Sequence, residues 1–149
     1  MDTLLEFKDV GKVYKNGTEA LKNVSFHIDS GEFVSVIGPS GSGKSTLLRS
    51  INKLNDITSG HIIIDGETIH DKKGKKLRMM RRKIGMIFQN YNLVYRLSVL
   101  QNALHGRLGY MSKFDGICGR YKEEDKKQAI ALLKELGLEK HIYNRASDL

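Results

Sequence analysis

The chain has one cysteine and one proline in 149 residues, and no apolar run approaching the roughly 20 residues that a membrane-crossing helix needs. Each scarcity excludes something. A lone Cys118 can form neither an internal disulfide nor a multi-cysteine metal site, which fits a reducing compartment. Without a long apolar run, membrane association would go through a partner, and the acidic opening "MDTLLEFKDV" gives no expectation of a secretory signal. The single proline, Pro39, lies between an apolar run that ends at Ile37 and small residues that lead to Lys44. Something must come very close to the backbone there.

What the chain does have in excess is positive charge in one place. The formal net charge is +8, and eight basic residues with no acidic one lie between Lys72 and Lys83, so the remainder is neutral. Such a run could contact phosphate backbones without sequence preference, which makes a nucleic-acid binding module one alternative reading. Against it, the run has no interleaved aromatics for stacking, and no nucleic-acid partner is expected. Apolar content of 40% with 28% charged residues fits an ordinary globular domain.

Periodicity orders the elements. "LLEFKDV" alternates weakly and "NVSFHID" cleanly, and both read as strands that close on a Ser30-Gly31 turn. "EFVSVIG" is a nearly continuous apolar run, the pattern of a strand buried on both faces of a parallel sheet. A helix opens near Ser45 with Leu47, Leu48, Ile51 and Leu54 on one face. Asp65-Gly66 sits between two β-rich runs as a hairpin turn. A basic helix spans roughly Lys75 to Arg82, and "IGMIF" reads as a strand that ends at Gln89. Ser98 and Gln101 form a capping-box pattern. Residues 106–121 read as loop. A final helix runs from about Lys122 to Leu136, with Ala129, Leu132, Leu133 and Leu136 as its buried stripe and Gly137 as its stop.

The chemistry is concentrated in Gly38-Pro39-Ser40-Gly41-Ser42-Gly43-Lys44-Ser45, which fits G-x-x-x-x-G-K-[ST] in full, with a strand before it and a helix after it. Glycines let successive N–H groups converge on phosphate oxygens, and the following helix adds its positive end to the same point. Lys44 brings a point charge for β- and γ-phosphates. The Ser45 hydroxyl is suited to Mg²⁺, and Thr46 continues the cradle. The small residues thus leave room for a triphosphate. Ile62-Ile63-Ile64-Asp65 imitates the apolar strand and acid that hold Mg²⁺ in such enzymes, but Asp65-Gly66 reads better as the hairpin tip.

"GPSGSGKSTLL", "SGHIIIDGE", "RRKIGMIFQNYNL" and "NRASDL", in this order and spacing, resemble the ATP-binding subunits of ABC transporters. The resemblance implies an α/β fold with a P-loop NTPase core, an antiparallel β subdomain, the start of a helical subdomain and an incomplete central sheet. Residues 1–37 and 61–70 would contribute to the β subdomain, 32–58 and 83–89 to the P-loop core, and 90–149 to the helical part. The same resemblance implies that Gln89 offers an amide oxygen to Mg²⁺ or the attacking water, and that Tyr14 stacks on adenine. It further implies ATP and Mg²⁺ as ligands and membrane permease subunits as partners at the cytoplasmic face. A head-to-tail second copy and, indirectly, an extracytoplasmic substrate-binding protein complete the expected assembly. "YNLVYRLSVLQNALHGRLGY" is similar to phosphonate importers in particular; amino-acid, methionine or lipoprotein types are the alternatives.

In the family a leucine placed like Leu149 is followed by Ser-Gly-Gly-Gln, the acidic strand, a glutamate and a histidine. The expectation is therefore that this chain is truncated, and that it binds nucleotide but lacks the groups to hydrolyse it. His61, His70, His105 and His141 are expected to be surface or packing residues.

Overall fold

The computed structural model describes residues 2–149, which divide into two compact units, one ending at Ile84 and the other running from Gly85 to Leu149. The first is built on a four-stranded antiparallel sheet with the order β2-β1-β3-β4. Its strands are β1 (Thr3–Val13), β2 (Glu19–Asp29), β3 (Ser59–Ile64) and β4 (Glu67–Thr68). Phe7 lies opposite Phe26 on one side and Ile62 on the other, and its ring stacks on Phe26 at 4.5 Å between centroids. Burying such a ring contributes about 1.5–3 kcal/mol.

The weak alternation of β1 has a local cause. Leu5 and Phe7 face the core, but the next buried residue is Val10, three positions on. At Asp9 (φ 49°) the register with β2 shifts, and the bulge turns the strand so that Val10 also faces inward. Ser25 fixes the bulge, accepting from the Asp9 backbone N–H at 2.8 Å and donating to its carboxylate at 3.0 Å. The Asp65-Gly66 tip is a hairpin as expected, both residues having positive φ, and Lys83 donates to the Asp65 carboxylate at 2.6 Å.

Helix α1 (Lys44–Ile51) packs Leu47 and Ile51, one turn apart, against this sheet. The expected four-residue stripe is corrected here. Leu48 lies about 100° around the helix from Leu47, Leu54 lies beyond the end of the helix, and both are exposed. Helix α2 (Gly74–Arg81) closes the unit with buried Met80 and half-buried Leu77.

The two strands expected over 32–38 and 84–88 do not form: neither segment enters the sheet. Their apolar side chains are correspondingly open, with Phe33, Ile37 and Ile87 at 94%, 91% and 97% exposure. A strand is defined by the ladder it joins, and a parallel ladder needs a crossover-linked neighbour.

In the second unit, α3 (Val99–His105) is opened by the capping box: the Gln101 backbone N–H donates to the Ser98 hydroxyl, and the Gln101 side chain accepts from the Ser98 N–H. Val99 packs with Leu133 of α5 (Glu123–Glu135) and with Ile142, and Ile130 borders them. The expected stripe on α5 is again corrected, because Leu132 and Leu136 point outward at 56% and 64% exposure while Ile130 and Leu133 carry the packing. Segment 106–121, read as loop, contains a short 3₁₀ turn (Leu108–Tyr110) and helix α4 (Lys113–Cys118). Ser112 caps α4 by accepting from the Asp115 N–H, a signal present in the sequence but masked by the surrounding glycines. Gly137 follows α5 with φ 75° and ends it as expected. Among the described residues no helix is long and apolar enough to cross a membrane.

Candidate functional site

The glycine-rich loop runs from Gly38 to Gly43 and opens directly into α1. Gly43 is the N-cap, with φ 89° and no capping side chain, so the first-turn N–H groups of α1 have no capping side-chain acceptor. No acidic residue occupies that first turn. The helix therefore presents unsatisfied donors and the positive end of its dipole at the loop. The loop is held close to β2, since a Cβ at Gly43 would stand 2.3 Å from the Ala20 carbonyl oxygen.

The Lys44 side chain folds back over the loop. Its ammonium donates to the Gly38 carbonyl at 2.8 Å and the Pro39 carbonyl at 2.7 Å, with the Ser42 hydroxyl at 3.5 Å. These carbonyls aim the charge across the loop. The adjoining cavity, about 310 Å³, is lined by Tyr14, Thr18, Glu19, Ala20 and residues 40–46. Its acidic residue, Glu19, faces Lys22 at 4.0 Å.

Tyr14 is brought to the same cavity from 30 residues upstream of the loop's Lys44. Its hydroxyl lies 3.1 Å from the Thr46 hydroxyl and accepts from the Asn55 amide at 3.2 Å, while the Lys12 ammonium sits 5.1 Å from the ring centroid. The structure thus gathers Tyr14, Ser40, Gly41, Ser42, Gly43, Lys44, Ser45 and Thr46 around one cavity. Gly38 and Pro39 line the neighbouring cavity, which shares Ser42, Gly43 and Lys44 with it. Gln89 belongs to the second unit, where it is exposed in a turn. Asn55 has no motif to announce it; only its proximity to Tyr14 identifies it.

The donor set suits a polyphosphate: an ammonium, a row of uncapped N–H groups and hydroxyls, with one carboxylate, Glu19, also on the wall. For Mg²⁺ the fit is to a shared site. Among the described residues no group of three or more His, Cys, Asp or Glu side chains could hold a metal ion. The exposed Ser45 hydroxyl on the cavity wall offers an oxygen ligand of the kind that complements phosphate oxygens around this cation.

The basic segment is partly engaged within its own unit. Arg81 donates to the Asn52 carbonyl at 2.9 Å and to the Lys53 carbonyl at 2.8 Å; Lys72 binds Glu67, and Lys83 binds Asp65. The hydrogen bond from Lys72 holds the Glu67 carboxyl below the usual carboxylate range. His70 is half-buried, and burial, with the Lys53 charge second, pushes its imidazole below the ordinary value.

A family model described as "ABC transporter" matches residues 21–149. The chain is 54% identical over 147 residues to "Phosphonates import ATP-binding protein PhnC 2" of Oceanobacillus iheyensis, covering 99% of this chain and 58% of that protein. It is 56% identical over 146 residues to the protein of the same name from Halalkalibacterium halodurans, covering 98% and 60%. Among solved structures, the dimeric structure of MJ0796, a bacterial ABC transporter cassette, superposes with a TM-score of 0.79 at 38% identity, covering 98% of this chain and 63% of that one. A post-hydrolysis state of the same cassette bound to ADP and Pi gives 0.77 at 37% identity, again over 98% of this chain and 63% of the other. The chain spans less than two thirds of the length of the curated relatives it matches.

Proposed function

Because the chain belongs to the ABC transporter family and has the α/β, P-loop NTPase fold of its ATP-binding cassettes, we propose that residues 38–46 bind the phosphates of ATP. In the same proposal, the whole protein couples ATP binding and hydrolysis to import of a phosphonate or a related phosphorus oxyanion. The observation that carries the nucleotide reading is the conjunction of an uncapped α1 N-terminus and the Lys44 ammonium, aimed by two carbonyls, on one cavity walled by Tyr14. The import reading draws its support from the names of relatives that are 54% and 56% identical over the residues aligned.

In this scheme the N–H groups of residues 43–46 and the Lys44 ammonium neutralise the β- and γ-phosphates, and the Tyr14 ring stacks on adenine. Ser45 would hold Mg²⁺, which when bound offsets negative charge on the phosphate oxygens, and a role for Gln89 toward that ion rests on the family resemblance alone. Residues 1–37 and 61–70 serve the β subdomain, 32–58 and 83–89 the P-loop core, and 90–149 the helical subdomain. The protein works at the cytoplasmic face of a membrane, attached to permease subunits and supplied by an extracytoplasmic binding protein. Two copies pair head to tail around ATP; a related cassette that forms a dimer supports this pairing. The basic segment is a structural tie in this reading, since Arg81, Lys72 and Lys83 bind groups of their own unit.

The test is titration with Mg-ATP by calorimetry, wild type against Lys44→Ala, with thermal melts to establish that both are folded. Charge-assisted hydrogen bonds of this kind contribute about 1.5–3 kcal/mol each, so Lys44→Ala should weaken binding by about ten- to a hundredfold. Unchanged affinity in a folded variant would overturn the reading.

A further inference from the structure

Nothing in the loop motif explains how the Tyr14 ring is oriented. Tyr14 follows β1 in a stretch where the chain turns, and the ring is 37% exposed, so local packing alone does not fix it. Its hydroxyl is fixed instead at two points far along the chain. Thr46 holds it from the first turn of α1, 32 residues away, and the Asn55 amide donates to it from beyond the other end of the same helix, 41 residues away.

Asn55 is itself held by a rigid turn. Its backbone N–H and that of Leu54 both donate to the Arg49 carbonyl, at 3.1 and 2.9 Å, and Leu54 N–H also reaches the Asn52 side chain at 3.2 Å. Arg81 grips the carbonyls of Asn52 and Lys53 from α2. The Lys53 ammonium, on a side chain only 13% exposed, donates to the carbonyls of His70 at 2.6 Å and Lys72 at 3.1 Å. Lys53 holds φ at 56°, in the left-handed region, which a lysine adopts at a cost and which these bonds offset. The turn is thus locked to α2 and to the segment after the hairpin, and Asn55 projects from it onto the phenol.

We propose that Asn55 is a positioning residue for base recognition: with Thr46 it sets the plane of the Tyr14 ring, so that the ring is ready to stack on the nucleotide base while the loop binds the phosphates. The inference rests on the proposed nucleotide function and adds a division of labour to it. The loop, the N–H groups of residues 43–46 and the Lys44 ammonium serve the phosphates, and the side-chain contacts of Asn55 and Thr46 to the Tyr14 hydroxyl serve the base. An aromatic ring contributes stacking energy only in a narrow range of offset and tilt, so a ring pinned at its tip gives up less freedom on binding.

The test compares Mg-ATP with Mg-tripolyphosphate, which carries the phosphates but no base, by calorimetric titration of the full chain. In wild type the ratio of the two affinities measures the contribution of the base. Asn55→Ala and Tyr14→Phe should each lower that ratio by about three- to tenfold, the loss of a mis-set aromatic stack, with tripolyphosphate affinity nearly unchanged. The double variant should be no worse than Tyr14→Phe alone, because that variant already removes the Asn55 bond along with the Thr46 contact. Equal weakening of both ligands, an unchanged ratio, or full additivity would each overturn the proposal. Should Asn55→Ala fail to fold, Asn55→Leu, which keeps the side-chain size and loses the amide donor, takes its place beside Tyr14→Phe, which keeps the ring and removes the hydroxyl. Loss of both ligands in Lys44→Ala is a separate result: it bears on the nucleotide reading, while the ratio bears on Asn55.

Discussion

Gly43→Ala is a substitution for which the structure sets a large penalty from a small chemical change. Two effects act together. With φ 89° at this position, an alanine must adopt the left-handed region, at a cost of about 1–2 kcal/mol. Its Cβ would also stand 2.3 Å from the Ala20 carbonyl oxygen, a backbone atom of β2 that cannot rotate aside. Relieving that overlap requires the loop or the strand to move by about 1 Å, the kind of overpacking that costs about 1–3 kcal/mol. Gly41→Ala separates the two effects, since φ there is 81° and a Cβ would meet nothing within 4 Å. The expected losses are therefore about 3 kcal/mol for Gly43→Ala and about 1 kcal/mol for Gly41→Ala. In urea denaturation followed by circular dichroism the difference should separate the two midpoints by about 1 M at comparable slope. Because the loop must shift away from β2 in the first variant, Mg-ATP affinity should fall with it. Coincident midpoints would refute the claim that Gly43 is required by contact with β2 as well as by its backbone angle.

Two further outcomes follow from the packing and the charges. Phe7 is 1% exposed and stacked on Phe26, so Phe7→Ala should destabilise the first unit by about 3–5 kcal/mol, and chemical denaturation that shows less than about 1 kcal/mol would contradict the assignment of its core. His70 has its pKa depressed from 6.5 by burial, and its Nε2 is buried without a hydrogen-bond partner. The unfolded chain then binds the proton more readily than the folded one, so stability is fully present above 6.5 and declines as pH falls through the folded value. Thermal melts between pH 7.5 and 5 should show that decline in wild type and a flatter profile in His70→Gln.

The features legible in the sequence are those in which the interacting groups are neighbours along the chain. The phosphate loop, the Asp65-Gly66 hairpin and the Ser98/Gln101 capping box each depend on backbone angles and hydrogen bonds within a few residues, so the residue types alone specify them. Alternation and turns mark individual strands in the same way, whereas the pairing of β1 with β3, distant along the chain, does not show in them. Tertiary structure decided the rest. The bulge at Asp9 is set by Ser25 on the neighbouring strand, and the outward turn of Leu48, Leu132 and Leu136 by which helix face meets a partner. Segments 32–38 and 84–88 carry strand composition without strand structure, because a ladder is a property of two segments and not of one. Asn55 reaches Tyr14 across 41 residues and is held in place by Arg81 and Lys53; no periodicity or motif links them, and folding alone makes them neighbours.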